Sequence, residues 1–559
     1  MTNEDTTPEL SENKLTDFKV SAGACFIESI EVTMNNIQIL DCTLRDGGYC
    51  NNWDFGFENA RKITVGLQEA GVEIIECGFI TNRETYVPDR TKFNSVDEVA
   101  KIIPENRQDK LFVAMINYGE YDIDSLPVCD GHSIDGIRVA FHKKNLVEAM
   151  DFCSQIKAKG YLVFIQAMVS LAYTDKEFLS LIRRVNELNP YAFYIVDSFG
   201  MMKEKDLIRL FYVVEHNLKE EIWIGFHSHN NMQLAYSNAQ HLTKIQTNRD
   251  LIIDSSVYGM GRGAGNLNTE LMVEYLNETI GKNYQLKPIL GLIDEILNEF
   301  YQRNYWGYSL PNYISAAHNA HPNYAGYLDD KKTLTIEGMN DIFDMMDDEK
   351  KVSFDKAYIE ELYLKYMAAE RVQETHKEEL QSRLKGKRIL LVAPGKSSLE
   401  EAVKIVAFGN EKDVVVISVN YVYEATKPDF VFVSNQRRFR ELEGNKDNPP
   451  CIVTSNIKAN DVFYQVKYSD LLNDEEAVSD NAGLMAIKFL MQYGVEEIWL
   501  AGYDGYSHDV SENYGNSEMA LFTRNAVLDA MNVGMSRVLK KYRNQVKICF
   551  LTEPRHVVI

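Results

Sequence analysis

The sequence predicts an α/β chain in which a (β/α)8 TIM barrel is followed by a helical region and a Rossmann-like α/β domain. From about residue 36, eight short apolar runs alternate with amphipathic helical stretches over roughly 250 residues, the count and length of such a barrel. Between residues 283 and 385 the apolar positions have helical period, and no strand-like run interrupts them. From KRILLV onward, apolar runs alternate with helical stretches again, which indicates a second α/β domain.

The barrel strands are predicted from runs rich in Val, Ile and Phe that are apolar at odd and even positions alike, as in strands buried on both faces. In order, the runs are IQILDCTL (37–44), VEIIECGFI (72–80), KLFVAMINY (110–118), GIRVAFH (136–142), YLVFIQAMV (161–169), AFYIVDSFG (192–200), IWIGFHSHN (222–230) and LIIDSSVYG (251–259). The segments between them, such as ENARKITVGLQEAG, have helical period and often end at Gly or Asn-Pro. An open doubly wound sheet would usually have fewer strands and a Gly-rich loop after the first one.

These patterns divide the chain into four parts. Residues 1–35 are expected to form a disordered tail, whose polar and acidic start lacks the features of a signal peptide. We expect the barrel, as the catalytic domain, at 36–282, a helical appendage and linker at 283–385, and the Rossmann-like domain at 386–559. Further strand-like runs in the last part are DVVVISVN, DFVFVSN, PPCIVTSN, VEEIWLAGYDG and VKICFLT.

The composition excludes several classes of partner. Lys and Arg number 59 against 82 Asp and Glu, and the net charge of −23 argues against nucleic acid and against anionic membrane surfaces. No run approaches the roughly 18 apolar residues that a membrane span requires. The eight Cys never form a Cys-x-x-Cys pair, so neither a zinc ribbon nor a disulfide framework is expected. These features predict a cytoplasmic protein.

Polar side chains at the ends of the barrel strands predict a metal site. His227 and His229 lie two positions apart on the seventh predicted strand, so both side chains leave the same face. Only the eighth strand separates them from the first, so Asp46 can reach the same point. Two neutral imidazoles and one carboxylate, completed by water or by Asn266, suit a divalent ion, with Mn²⁺ in first place and Mg²⁺, Co²⁺ or Zn²⁺ as alternatives. The net positive charge of such a site favours a bidentate anion such as an α-keto acid.

Other polar residues at the strand ends have two interpretations each. Ser198 and Arg138 would either touch the substrate carboxylate or pack inside the barrel, and Glu76 would be a partner of Arg45 or a packing residue. The Gly259–Gly265 stretch is interpreted as a tight loop that lets Asn266 approach the site, because no βαβ unit follows it. Two histidines beyond the barrel are expected to be packing or rim residues rather than ligands: His318 and His321.

Three segments together resemble the DRE-TIM metallolyase superfamily, the HMGL-like enzymes: LDCTLRDGGYCNNWDF, GFHSHNNMQLAYSN and GMGRGAGNLNTE. The resemblance covers about residues 36–325 and is closest to the 4-hydroxy-2-oxovalerate aldolase-like branch. It implies a divalent metal held by Asp46, His227 and His229, with Arg45 holding the oxygen of a pyruvate-type enolate. It also implies a keto acid and an aldehyde as substrate or product, and it leaves open a homodimer or a dehydrogenase partner.

The chain departs from this aldolase pattern at Tyr49. In the aldolase branch, the position three after the metal-binding Asp is a His that serves as base toward the substrate hydroxyl. A phenol with an ordinary pKa near 10 is a poor base at pH 7 unless its surroundings lower that pKa. The base is therefore Tyr49 with a shifted pKa, or another group such as His142 or a metal-bound water, or the substrate is a different one.

The C-terminal domain contains a second candidate site. VAPGKSSLEEA follows a predicted strand and opens a helix, so its backbone N–H groups could bind a phosphate. This and two later segments distantly resemble the nucleotide-binding domain of sialyltransferase-like and DUF115-type proteins. The residues that this implies for a nucleotide or nucleotide sugar are Gly395, Ser398, Asn420, Ser434, Asn435 and Asp504. A structural domain that aids assembly is the alternative.

The sequence leaves three functions open. The first is a metal-dependent aldolase or lyase acting through an enolate. The second is a bifunctional protein of surface-glycan biosynthesis whose C-terminal domain binds a nucleotide-linked sugar. The third is a condensing acyltransferase of the isopropylmalate synthase kind, which would depend on acyl-CoA and release a thiol.

Overall fold

The computed structural model describes residues 36–331, 333–368, 376–445, 447–459, 464–515, 519, 521, 523 and 525–559. The tail expected at residues 1–35 lies outside this part of the chain. Among the described residues, no helix is both long enough and apolar enough to cross a bilayer.

The first sheet is a closed barrel of eight parallel strands, because its first strand pairs with both the second and the last. A ninth, two-residue strand is added beside the second one. Each of the eight apolar runs contains one barrel strand, which confirms the predicted fold. The strands are β1 (Ile37–Asp41), β2 (Ile74–Ile80), β3 (Lys92–Phe93), β4 (Leu111–Asn117), β5 (Gly136–Phe141), β6 (Leu162–Ala167), β7 (Ala192–Asp197), β8 (Trp223–Ser228) and β9 (Leu251–Ser255).

Helices follow the strands and pack against their outer faces. In the helix Asp175–Leu188, the side chains of Phe178, Leu181, Ile182 and Val185 are buried at the spacing of one helical face. Thr174 and Glu177 form a capping box that starts this helix. The helices of this part are α1 (Thr43–Asp46), α2 (Gly48–Asn51), α3 (Phe57–Ala70), α4 (Val96–Ala100), α5 (Leu146–Ala158), α6 (Asp175–Leu188), α7 (Glu204–Asn217), α8 (Ala235–Lys244) and α9 (Thr269–Ile280).

The barrel interior is filled in layers. Apolar side chains from different strands pack together in its lower part, among them Leu40, Ile74 and Ile252. Because side chains on one face of a strand recur every second residue, Glu76 and Asp254 point into the same interior one step closer to the mouth. Both carboxylates are fully buried. A charged layer therefore lies between the apolar floor and the mouth of the barrel.

The helical region is divided between two cores. Its first helices pack on the barrel, since Ile289, Leu292 and Trp306 belong to the barrel core. From Ile314 onward the buried side chains share a second core with the C-terminal sheet. The helices of the region are α10 (Leu286–Leu292), α11 (Asn298–Arg303), α12 (Leu310–Ala317), α13 (Pro322–Asp330), α14 (Ile336–Asp344), α15 (Asp348–Lys351), α16 (Lys356–Ala368) and α17 (Lys377–Leu384).

The C-terminal domain is a seven-stranded parallel sheet with the order β14-β13-β12-β11-β10-β15-β16. Six of its strands lie in the predicted runs, and β14 is a three-residue strand that no run indicated. The strands are β10 (Arg388–Val392), β11 (Val414–Val419), β12 (Phe430–Val433), β13 (Cys451–Thr454), β14 (Tyr464–Val466), β15 (Glu497–Ala501) and β16 (Lys547–Phe550). The helices are α18 (Ser397–Glu400), α19 (Ala402–Gly409), α20 (Gln436–Leu442), α21 (Tyr468–Leu471), α22 (Ala482–Gln492) and α23 (Asn525–Arg543).

Candidate functional site

One carboxylate and two imidazoles converge at the mouth of the barrel, as the sequence predicts. Asp46 ends the short helix α1 that follows β1, while His227 lies at the carboxyl end of β8 and His229 directly follows that strand. The Asp46 Oδ2 atom lies 3.2 Å from His229 Nε2 and 4.0 Å from His227 Nε2. One ligand atom from each of the three residues lies within 4.8 Å of the others. All three side chains are buried.

These residues fit a divalent cation. Asp46 Oδ2, His229 Nε2 and the Asn266 Oδ1 atom are buried and have no hydrogen-bond partner among the described residues. Buried polar atoms are rarely left unpaired in folded proteins, because their desolvation is then uncompensated. A carboxylate, two imidazoles and an amide oxygen form a suitable ligand set for Mn²⁺, Mg²⁺, Co²⁺ or Zn²⁺. A cation at this point would satisfy all three atoms at once.

Neighbouring groups orient both imidazoles toward Asp46. His227 Nδ1 donates to Asp254 Oδ2 at 2.9 Å, and His229 Nδ1 donates to the Asp197 carbonyl oxygen at 3.0 Å. Because a carboxylate or carbonyl oxygen only accepts, each Nδ1 carries a proton, which leaves Nε2 as the atom that can bind a cation. Sequence reasoning missed Asp254, although an acidic residue inside the apolar run LIIDSSVYG was a signal for it.

Electrostatics favour the protonation states that a metal ligand set needs. Burial lowers the pKa of His227 to about 4, so its imidazole is neutral at pH 7. Burial alone would raise the pKa of Asp46, but the positive charge of Arg45 and the imidazole of His229 outweigh it and hold that pKa well below the ordinary value. An ionised carboxylate beside the neutral imidazole of His227 is the state that binds a cation.

Arg45 is held rigidly, with one nitrogen unused. Its Nε atom donates to Glu76 Oε2 at 2.9 Å, and its Nη1 atom pairs with Asp46 Oδ1 at 2.9 Å. The Nη2 atom is buried and has no partner among the described residues. Glu76 is therefore a partner of Arg45, one of its two expected roles, and the guanidinium keeps one unused hydrogen-bond donor.

Arg138 has a different environment from the one expected for a substrate contact. Its side chain is fully buried. Its Nη1 atom donates to Glu76 Oε2 at 2.7 Å, and its Nη2 atom pairs with Asp254 Oδ2. Both carboxylates occupy the guanidinium, so Arg138 links the support of Arg45 to the support of His227 from beneath the ligand layer.

The glycine-rich segment after β9 forms the tight loop that the sequence predicts. A Cβ atom on Gly261 would lie 2.3 Å from Asn266 Nδ2 and 3.3 Å from Asp46 Oδ2. Only glycine at this position lets the loop pass so close to the ligand layer. The backbone of Asn266 also forms a β-bridge with His229, which fixes the Asn266 side chain at the site.

The remaining predicted barrel residues lie around the mouth. The Tyr49 side chain is 43% exposed, and its ring packs edge-on against Trp53 at 4.7 Å. Desolvation raises the pKa of Tyr49 above 10, against the opposing charge of Arg262, so the phenol stays protonated at pH 7. Burial, Lys144 and Arg262 lower the pKa of His142, which keeps its imidazole neutral. The Ser198 hydroxyl accepts a hydrogen bond from the Val169 N–H at 2.9 Å.

The two histidines of the helical region differ. His318 Nε2 bonds to Asn340 Oδ1 at 2.9 Å within the helical region. His321 is the N-cap of α13, where its Nδ1 atom accepts from the Asn323 N–H at 3.2 Å. Its ring packs against Phe199, which follows β7, with 5.5 Å between the ring centroids. His321 is therefore a rim residue of the barrel mouth.

In the C-terminal domain, most of the residues expected to bind a nucleotide line one cavity of about 220 Å³ at the carboxyl ends of the strands. Ser398 is not among its lining residues. The N–H groups of the predicted phosphate loop are already used, because Ser397 N donates to Asp504 Oδ2 at 2.7 Å and Ser398 N donates to the Gly395 carbonyl at 2.9 Å. The Asp504 carboxylate thus occupies the position of an anion at this helix terminus. The predicted nucleotide-binding residues that line the cavity are Gly395, Asn420, Ser434, Asn435 and Asp504.

Residues 36–292 match the family model described as HMGL-like. A 4-hydroxy-2-oxovalerate aldolase from Pseudoalteromonas translucida is 24% identical over 267 residues, covering 47% of this chain and 76% of that protein. An enzyme of the same name from Geobacillus genomosp. 3 is 29% identical over 246 residues, covering 43% and 70%. An oxaloacetate decarboxylase from Mycobacterium tuberculosis is 26% identical over 238 residues, covering 43% and 69%.

Proposed function

Residues 36–292 form a domain of the HMGL-like, DRE-TIM metallolyase superfamily, and on that premise we propose that the protein is a divalent-metal-dependent lyase that makes or breaks a carbon–carbon bond through a pyruvate-type enolate. The relatives named 4-hydroxy-2-oxovalerate aldolase support an aldol reaction of a 4-hydroxy-2-keto acid. The observation that carries the proposal is that Asp46 Oδ2, His229 Nε2 and Asn266 Oδ1 are buried and unpartnered.

The residues divide the chemical work between them. Asp46, His227 and His229 would hold the cation, with Asn266 as a further ligand, and we propose Mn²⁺ for this mixed nitrogen and oxygen set. When bound, the cation supplies positive charge to the oxygen on which the enolate charge develops. The free Nη2 of Arg45 donates a second stabilising contact to that oxygen, from a guanidinium already fixed by Glu76 and Asp46.

The proton steps fall to residues at the mouth. In cleavage, a base takes the proton of the C4 hydroxyl, the C3–C4 bond breaks, and its electron pair forms the enolate while an aldehyde leaves. The neutral imidazole of His142 suits this base better than Tyr49, because desolvation keeps the Tyr49 phenol protonated. Return of the proton to C3 then gives pyruvate. During cleavage, the Tyr49 hydroxyl can donate a hydrogen bond to the C4 oxygen or to the enolate oxygen.

Pyruvate release tests this proposal. The full-length protein, stripped of metal and then supplied with Mn²⁺, is expected to release pyruvate from at least one member of a panel of 4-hydroxy-2-keto acids, without CoA. Asp46→Asn removes the only anionic ligand of the predicted set and is expected to abolish the reaction. Asp151→Asn changes an exposed carboxylate on α5 and serves as the control. Turnover that needs acyl-CoA and releases a thiol would favour the condensing acyltransferase instead.

The bifunctional alternative depends on the cavity at the C-terminal sheet. Its position at the carboxyl ends of parallel strands, beside the point where the chain order reverses between β10 and β15, is where ligands bind in open α/β sheets. The Ser397 and Ser398 N–H groups are committed to protein acceptors, so a nucleotide sugar would have to be recognised by side chains around the cavity. Calorimetric titration with a nucleotide sugar tests this alternative separately from pyruvate release.

A further inference from the structure

Arg262 is a cation at the barrel mouth that the proposed chemistry does not use. It lies in the glycine-rich loop after β9, and its Nη2 atom donates to the Ser198 carbonyl oxygen at 3.0 Å. Its guanidinium lies 5.5 Å from the centre of the Tyr49 ring. The Nε atom is buried, with no hydrogen-bond partner among the described residues. In the part of the chain that the structure describes, no carboxylate forms an ion pair with this side chain.

The two histidines near Arg262 are neutral at pH 7, so they do not offset its positive charge. His142 lies at the end of β5 and His321 on the rim formed by the helical region. Burial and the charge of Arg262 lower the pKa of both imidazoles, that of His321 to about 3. In a chain whose net charge is −23, a partly buried arginine without a carboxylate partner is unusual. An uncompensated positive potential inside a cleft attracts an anionic ligand.

The position of Arg262 is fixed before any ligand arrives. The loop is tied to the end of β8, because the Asn230 N–H donates to the Gly265 carbonyl at 2.8 Å and the Ala264 N–H donates to Asn231 Oδ1 at 2.7 Å. Gly261, the residue before Arg262, passes so close that its Cβ would lie 3.3 Å from Asp46 Oδ2. Arg262 is thus a preorganised donor one residue away from the ligand layer, on the side of the mouth toward β7.

We propose that Arg262, with His321 beside it, binds a second anionic group of the substrate, at the end remote from the keto acid. The inference rests on the proposed function, in which the cation site and Arg45 take the keto-acid end. It specifies the substrate class as 2-keto acids that carry a carboxylate or a phosphate at the far end. The part of the substrate that leaves on cleavage would then be an anionic aldehyde.

Binding of substrate-like ligands that cannot be cleaved tests this assignment without turnover. The Mn²⁺-loaded full-length protein is titrated by calorimetry with 2-oxoglutarate and with 2-oxopentanoate, which differ only in a far carboxylate against a methyl group. We expect 2-oxoglutarate to bind about 10-fold to 100-fold more tightly, the range of a hydrogen bond between charged groups. A third ligand, 2-oxo-4-phosphonobutyrate, shows whether a phosphonate fits in place of the carboxylate.

Variants of Arg262 decide whether this side chain is the cause. Arg262→Gln is expected to remove the preference for 2-oxoglutarate while leaving 2-oxopentanoate binding within about threefold, and Arg262→Lys to retain part of the preference. Arg303→Gln, an exposed change on α11, is the matched control. Equal affinity for the two ligands in the unaltered protein, binding of neither, or an equal loss for both in Arg262→Gln contradicts the inference. Pyruvate release without ligand discrimination overturns the anion site alone, and discrimination without pyruvate release overturns the proposed reaction alone.

Discussion

The polar side chains of the barrel mouth share one arrangement, in which each uses one or two polar atoms for hydrogen bonds within the protein and leaves another without a partner. His227 and His229 are anchored through Nδ1 and present Nε2. Arg45 is anchored through Nε and Nη1 and presents Nη2. Side chains fixed in this way lose little further conformational entropy when a ligand binds, so the centre is preorganised.

The free nitrogen of Arg45 leads to a prediction about turnover. Arg45→Gln is expected to lower kcat by about 10²–10³, which is about 3–4 kcal/mol of transition-state stabilisation, because the donor acts where the enolate charge develops. The affinity for Mn²⁺ should change little, since Arg45 is not a ligand. Steady-state kinetics of pyruvate release and calorimetric titration with Mn²⁺ measure the two effects. A loss of metal binding as large as the loss of kcat would mean that Arg45 acts only through Asp46.

The convergence of the candidate metal ligands could be predicted from the sequence, whereas the partners of the interior charges could not. The His-x-His spacing places two candidate ligands on one face at the end of a strand, where β-geometry decides the direction of the side chains. The Asp that follows the first strand reaches them from the end of α1. For Arg138 the sequence gives the strand and its face, but not which side chains of other strands contact its guanidinium. The residue is third in β5, three residues before the strand ends, which places it about 10 Å below the mouth and between two carboxylates.

Among the elements, strands were easier to predict than the attachment of helices. Strands buried on both faces produce continuous apolar runs, and each of the eight runs contains a barrel strand. The pattern of an amphipathic helix shows that one of its faces is buried, but it does not show which domain that face packs against. The helices α10 and α11 were expected in the helical appendage, yet Ile289 and Leu292 lie in the barrel core. β14 has three residues, too few to produce a recognisable run.

The charged layer that joins β2, β5 and β9 is expected to contribute to stability through Arg138. Arg138→Met leaves Glu76 and Asp254 buried with less compensating charge, and we expect the free energy of unfolding to fall by about 3–5 kcal/mol. Urea denaturation followed by circular dichroism measures this change. Arg184→Met, an exposed substitution on α6, is the control, and its free energy of unfolding should fall by less than about 0.5 kcal/mol. If Arg138→Met lowers the free energy of unfolding by less than about 1 kcal/mol, the other partners of the two carboxylates are enough to stabilise their buried charges.

The Asp41 carboxyl at the end of β1 is expected to make the stability of the folded protein depend on pH. Asp41 accepts hydrogen bonds from the Thr43 N–H and the Thr269 hydroxyl, and burial raises the pKa of its carboxyl to about 6. The folded state therefore holds this proton more tightly than the unfolded chain, whose Asp pKa is near 4. It follows that the contribution of Asp41 to the free energy of unfolding falls as the pH rises from about 4 to about 6, and stays at the lower value above that.

Replacing this carboxyl by an amide tests the pH dependence. In Asp41→Asn the amide oxygen can accept from the Thr43 N–H, and the amide N–H can donate to the Thr269 hydroxyl, which then accepts instead of donating. Because no charge is buried, we expect this variant to be more stable than the unaltered protein at pH 7.5, by about 1–3 kcal/mol. The difference should shrink toward pH 4.5, where Asp41 is protonated in the folded state. Urea denaturation at the two pH values measures it, with the exposed Asp151→Asn as control. An equal difference at both values would show that the carboxyl of Asp41 does not titrate in this range.

At the scale of the whole molecule, the described residues form two separate large cores. One contains the barrel with α10 and α11, and the other joins the later helices to the C-terminal sheet. The candidate metal ligands all belong to the barrel part. Bodies with separate cores can unfold in separate transitions, and a ligand raises the stability only of the body that binds it.

Scanning calorimetry of the full-length protein with and without Mn²⁺ is therefore expected to resolve two transitions, of which only one moves. At a free Mn²⁺ concentration of about 100 times the Kd, the barrel gains about 2.7 kcal/mol, and its transition should rise by about 5–10 °C. The transition of the C-terminal body should stay in place, because its core contains none of the ligands. Asp46→Asn removes the carboxylate ligand and should abolish the shift while leaving two transitions. A common shift of both transitions would mean that contacts such as that between Phe199 and His321 couple the two cores into one cooperative unit.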